Sequence, residues 1–244
     1  MMRRREVLGM LGCGVAALLA GCNVIAPPQE SLRYRITVEV QTPQGLRSGS
    51  GVIETTYIAG PSIGDASGLG MRLRGEAVAV DLPGGQTLFA LLRSVKDGDD
   101  AGYHGRLFNQ ALADGAVAEP ALTRRYAAHE WTEERREARR IKPRLTLPPQ
   151  HYPMLVRFRD VHDPKSVEAV DAGDLAKCFG AGVKLRRITL AVTDDAVTTG
   201  IEKRLGWVVD KFYYDKMLDG QALNNGSSLA NNLTPESFKK GDHK

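Results

Sequence analysis

Apolar and polar residues alternate from Leu32 to Gln41. Tyr34, Ile36, Val38 and Val40 fall on one face, and Arg33, Arg35, Thr37 and Glu39 on the other. Strand side chains point to opposite faces in turn, so this pattern predicts a half-buried strand. Thr42-Pro43-Gln44-Gly45 has the residues of a tight turn, and Leu46 to Ile58 reads as the return strand of a hairpin. Within it, Ser48-Gly49-Ser50-Gly51 is read as a bulge or twist. It is not read as a phosphate-cradling loop, because no Lys-Ser/Thr and no helix follow. Leu69–Leu82 and Gln86–Val95 are rich in Val, Leu, Ala and Phe89 on both faces and predict a second, central hairpin across Pro83-Gly84-Gly85.

The period then changes. Leu107, Phe108, Ala111 and Leu112 recur at helical spacing within 103–114. A highly charged helix is predicted over Arg124–Arg140, with Trp131 as its main apolar contact. Arg135, Arg136, Arg139, Arg140, Lys142 and Arg144 cluster toward its end. The cluster reads as a solvated face whose cations suit a helix C-terminus; a patch for anionic headgroups is the alternative. A Pro-rich connector (142–153) leads to a strand over Met154–Val161, a short helix over Asp171–Phe179 and a strand over Lys184–Val192. Short helical pieces with Trp207, Phe212 and Tyr213 are expected over 199–216. Hairpins first and helices mid-chain predict an α+β fold on a mainly antiparallel sheet. The expected domain is single and spans 32–218, and residues 219–244, rich in Asn, Gly, Ser and Lys, are expected to be a poorly ordered tail.

Composition adds little. An apolar fraction of 42% and a charged fraction of 25% are ordinary for a globular chain of 244 residues. The net charge of +4 owes three arginines and one glutamate to residues 1–21. The remainder is near balance, which gives no electrostatic case for nucleic acid as a partner.

The start of the chain changes the picture. Three arginines are followed by an uncharged run from Val7 to Ala20, which has the form of a secretory signal. The run is shorter than the roughly 20 apolar residues that span a bilayer. It ends Leu19-Ala20-Gly21-Cys22, which resembles the bacterial lipobox. That resemblance implies cleavage before Cys22 and lipid on its sulfur, so that the chain meets a membrane through acyl chains. It makes residues 1–21 a signal peptide and residues 22–31, with Pro27-Pro28, a short stiff tether. Arg4-Arg5-Glu6-Val7-Leu8 also resembles a twin-arginine export signal, although Arg3 stands where Ser or Thr is usual; a plain basic leader for general export is the other reading. In lipoproteins of this kind, Asp after the cysteine implies retention at the inner membrane. Asn23 therefore implies the outer membrane, with the domain facing the periplasm.

Candidate chemistry is sparse. No Gly-x-Ser-x-Gly elbow, His-Glu-x-x-His, Cys-x-x-Cys, Walker loop or dinucleotide fingerprint occurs. No cofactor, no metal and no catalytic residue is assigned. The best polar group is His151, Asp160, His162 and Asp163. Asp160 and His162 would share a face at a strand end, where carboxylate and imidazole could hold metal or shuttle protons; Asp163-Pro164 equally opens a turn. Asp97, Asp99 and Asp100 read as a solvated turn, since the closing Glu of a calcium loop is missing. With Cys22 lipidated, Cys178 has no disulfide partner and reads as a buried inert thiol. Residues 34–45 and 201–207 resemble stretches of uncharacterised proteobacterial proteins, which implies no sites and no mechanism. The expected function is a membrane-tethered envelope lipoprotein with a non-catalytic binding or structural role, with an envelope protein as the expected partner class. The alternative is a tethered hydrolase or metal enzyme using the Asp160–His162 region.

Overall fold

The computed structural model describes residues 30–59, 69–95, 100–113 and 131–241. The signal, Cys22, Asn23 and most of the tether lie outside the described residues, as do Asp97 and Asp99.

β1 (Glu30–Thr42) and β2 (Gly45–Ala59) form the long first hairpin, paired from Glu30↔Tyr57 to Thr42↔Gly45. The alternation read in the sequence is the observed burial pattern. Leu32, Tyr34, Ile36, Val38 and Val40 are buried, and the residues between them are half-buried. β1 also pairs with β9 (Lys184–Val192), which carries β6 (Arg144–Thr146) on its far side. β6 is a short strand inside the segment read as a connector.

The stretch 69–82 is not one strand. It breaks at Ala77 into β3 (Leu69–Glu76), which pairs with β2, and β4 (Val78–Leu82), which pairs with β5 (Gln86–Ser94). Gly75 has a φ of +151° at the corner, which favours glycine. The Ala77 N–H leaves the ladder and donates to the Phe238 carbonyl at 2.8 Å. Two antiparallel sheets result. The first has the order β10-β3-β2-β1-β9-β6 and the second β4-β5-β7-β8, with β7 at Pro153–Phe158, β8 at Val167–Ala169 and β10 at Lys239–Lys240. This is the expected α+β fold on antiparallel sheets.

The main core lies between the sheets. β1 supplies Tyr34, Ile36 and Val38; the second sheet supplies Val80, Leu88, Ala90 and Leu92. Helix α1 (Asp100–Ala113) adds Tyr103, Leu107, Phe108 and Ala111. Helix α2 (Trp131–Ile141) adds Ala138. The expected helix over 171–179 shrinks to α3 (Ala176–Phe179), because the Asp171 side chain accepts from the Gly173 N–H at 2.8 Å and closes a turn instead.

The segment read as a tail is packed. Leu218, Ala230, Leu233 and Phe238 are buried with Phe89, Leu91, Val156 and Trp207 on the outer face of the second sheet. A four-residue helix α4 (Leu229–Asn232) is capped by Ser228, and β10 pairs with β3. Burying one Phe side chain contributes roughly 1.5–3 kcal/mol, enough to hold polar sequence around it in place.

Candidate functional site

Asp160, His162 and Asp163 lie together on the turn between β7 and β8, but both carboxylates are engaged in the turn itself. The Asp160 carboxylate accepts from the His162 N–H at 2.9 Å, and the Asp163 carboxylate accepts from the Lys165 N–H at 3.0 Å. The Ser166 hydroxyl accepts from the Asp160 N–H at 3.0 Å and reaches the Asp160 and Asp163 carbonyls at 2.8 and 2.7 Å. Asp160, His162 and Asp163 are exposed. His151 is not with them. It precedes β7 while they follow it, and six strand residues at about 3.3 Å each separate the two ends by roughly 20 Å. Among the described residues no three His, Cys, Asp or Glu side chains gather closely enough for a metal ion. Cys178 is partly buried rather than fully so, and its carbonyl accepts from Arg157.

A buried polar line elsewhere was not legible in advance. The Tyr34 hydroxyl lies 2.7 Å from His104 Nδ1 and 3.3 Å from the His104 carbonyl. Tyr57 donates to the neighbouring Gly105 carbonyl at 3.3 Å. Arg135 of α2 stacks on the Tyr57 ring and donates to the Thr55 carbonyl at 2.8 Å and hydroxyl at 3.1 Å. Burial pushes the His104 imidazole down to about 3, against the pull of the Leu92 backbone oxygen. It raises the Tyr34 phenol and lowers the Arg135 guanidinium, the latter opposed by Tyr57. His104 is therefore neutral at physiological pH and joined to groups that hold helices on the sheet.

Two clefts are lined elsewhere. One, of about 240 Å³, lies between Ser94, Pro149, Tyr152, Leu155 and Val170 and brings no acid–base pair together. The other, of about 200 Å³, includes Arg74, Glu76, Thr198, Lys239 and Lys240. Its charges are paired: Glu76 accepts from Lys239 Nζ at 2.7 Å and from the Gly200 and Ile201 N–H groups at 3.1 and 2.8 Å.

The last arrangement sits at the start of β1. Glu30, the first residue of β1, accepts from Arg139 at 2.6 Å and from Arg136 at 3.3 Å, and Arg139 also donates to the Ser31 carbonyl at 2.6 Å. The cations predicted for this helix thus divide into one buried arginine, two that pin the start of β1, and others facing solvent. No described helix is long and apolar enough to cross a membrane. Comparison with protein families, with curated proteins and with solved structures finds no match.

Proposed function

We propose that this protein is an envelope lipoprotein, tethered through lipid on Cys22, whose α+β domain has a non-catalytic binding or structural role. The observation that carries this reading is Leu19-Ala20-Gly21-Cys22 at the end of a basic-then-apolar leader. The placement of β1 agrees with it: the first strand begins at Glu30, eight residues beyond Cys22, which leaves a segment of tether length. Two or three acyl chains anchor stably where one anchors marginally, so the domain needs no spanning element. The Asp160–His162 alternative gains no support, because the Asp160 and Asp163 carboxylates brace a turn and no metal-sized cluster gathers among the described residues.

Asn23 supports an outer-membrane site facing the periplasm, and an envelope protein is the proposed partner class. Intact-mass analysis of protein extracted from membranes tests the anchor. The expected mass is that of a chain starting at Cys22 plus diacylglyceryl and acyl groups, with Cys22→Ser losing both the lipid and the membrane fraction. An unmodified N-terminus elsewhere overturns the reading. Co-migration with inner-membrane markers on a sucrose gradient overturns the sidedness alone.

A further inference from the structure

We infer that the solvent face of α2, beside the start of β1, rests on the anionic headgroups of the bilayer that holds the Cys22 lipid; the inference builds on the lipoprotein reading. Glu30 lies eight positions beyond Cys22, and an extended chain covers at most about 3.6 Å per residue. Glu30 is therefore held within roughly 30 Å of the acyl anchor. Because Arg136 and Arg139 grip Glu30, the C-terminal half of α2 is held there too.

The charges on this face are layered. The carboxylates are the inner partners: the Glu30 side chain is 15% exposed and that of Glu137 20%. The arginines are outermost: Arg136 is 53% exposed and Arg140 70%. A surface approaching from solvent meets these guanidinium groups before it meets Glu30 and Glu137, whereas Lys142, 50% exposed, sits at the edge of the face beside the more exposed Asp194. Arg140 holds Glu137 through Nε and one terminal nitrogen, and a guanidinium bonded through one edge keeps further N–H groups for a phosphate. Asp194 beside Lys142 and Asp195 beside Arg35 are exposed acids and mark the limit of the patch. Each cation near an anionic membrane surface contributes about fivefold in binding, so a few act usefully only on a protein already tethered.

The test uses wild-type protein reconstituted through its own N-terminus into vesicles of phosphatidylcholine alone or with phosphatidylglycerol. Flotation is scored first, and then the rate at which a neutral amine-acetylating reagent modifies Lys142, with exposed Lys203 and Lys211 on the C-terminal layer as internal references. The expected result is flotation with both vesicle types, with Lys142 slowed at least about fivefold relative to the references only on anionic vesicles. The slowing should disappear in about 0.5 M salt and in Arg140→Glu, which leaves the Glu30 contacts in place. Flotation with equal Lys142 rates on both vesicles overturns this inference and leaves the anchor standing. Flotation on anionic vesicles alone, with Lys142 protected, removes the anchor and keeps the face. Flotation with neither vesicle overturns both.

Discussion

The guanidinium carbon of Arg135 lies 4.0 Å from the centroid of the Tyr57 ring. The side chain is nearly buried, and its N–H groups end on Thr55 of the neighbouring position in β2. A residue that the sequence places among solvated cations is thus one of the contacts through which α2 seats on the first sheet. The ring face satisfies the cation electrostatically, and the aliphatic stem fills space.

Arg135→Ala is expected to lose about 2–4 kcal/mol of stability, since it removes packing, stacking and the bonds to Thr55 together. Arg135→Met keeps the stem and needs no desolvation of charge, so its loss should be less than half as large. Urea unfolding of the two variants checks this. Equal losses would mean that the charge, not the packing, seats the helix.

His104 sets a pH dependence. Its folded value of about 3 lies below the usual histidine value of 6.5, so the unfolded chain binds the proton first. Stability is therefore full above about pH 6.5 and falls with acidification through that value toward 3, with a slope approaching about 1.4 kcal/mol per pH unit. Asp81, held below the usual carboxylate range by Arg204, and Asp195, held down by Arg35, act in the same direction only at lower pH, where carboxylates titrate. The window from about pH 6.5 to 4.5 thus isolates the histidine. His104→Gln should flatten the stability curve there; an unchanged slope would place the proton elsewhere.

The fold was legible where one face is buried and the other is not. β1 and β9 sit in such places, and their alternation and ends were read within a residue or two. The break at Ala77 was hidden because apolar residues recur through β3 and β4 (Met71, Leu73, Ala77, Val78, Val80) with no turn sequence between the strands; only the corner at Gly75 marks the change of sheet. The C-terminal layer was hidden for the opposite reason. Leu218, Ala230, Leu233 and Phe238 are too irregularly spaced to show a period, and the polar residues between them bond to backbone: Asn231 accepts from the Asn225 and Gly226 N–H groups. Asp160 and His162 misled because carboxylates that brace turns and carboxylates that do chemistry look alike in sequence.

Glu76 ties that C-terminal layer to the corner, as a buried carboxylate bonded to Gly200, Ile201 and Lys239. Glu76→Ala strands two N–H groups and removes one acid partner of Lys239, leaving Glu202. A loss of about 3 kcal/mol or more is expected. Amide exchange should quicken at 200–203 and 238–240 while β1 and β9 remain protected. A uniform rise across the chain would show that the contact is not a local latch.

The two sheets pack closely at Gly49, and this gives the sharpest substitution test. A Cβ placed there would lie 2.0 Å from the Ala79 carbonyl oxygen and 2.8 Å from its carbon. Both are backbone atoms of β4, so relief requires moving a strand that is paired with β5 from Leu82 back to Val78. At Gly105 a Cβ would meet Met71 Cε at 1.9 Å and Sδ at 2.3 Å, a closer clash on distance alone. Methionine has three rotatable bonds and can withdraw its end, whereas a sheet cannot bend at one carbonyl without disturbing its ladder. Overpacking costs typically about 1–3 kcal/mol and more when the backbone must shift. Gly49→Ala is therefore expected at or above the top of that range and Gly105→Ala near its bottom, the reverse of the order of their contact distances. Thermal unfolding of the two variants decides between the readings. A larger loss in Gly105→Ala would mean that Met71 is fixed and that the sheets can part at Gly49. The Ser48-Gly49-Ser50-Gly51 run would then be a local twist in β2, as its sequence alone suggests, rather than the seat on which the second sheet rests.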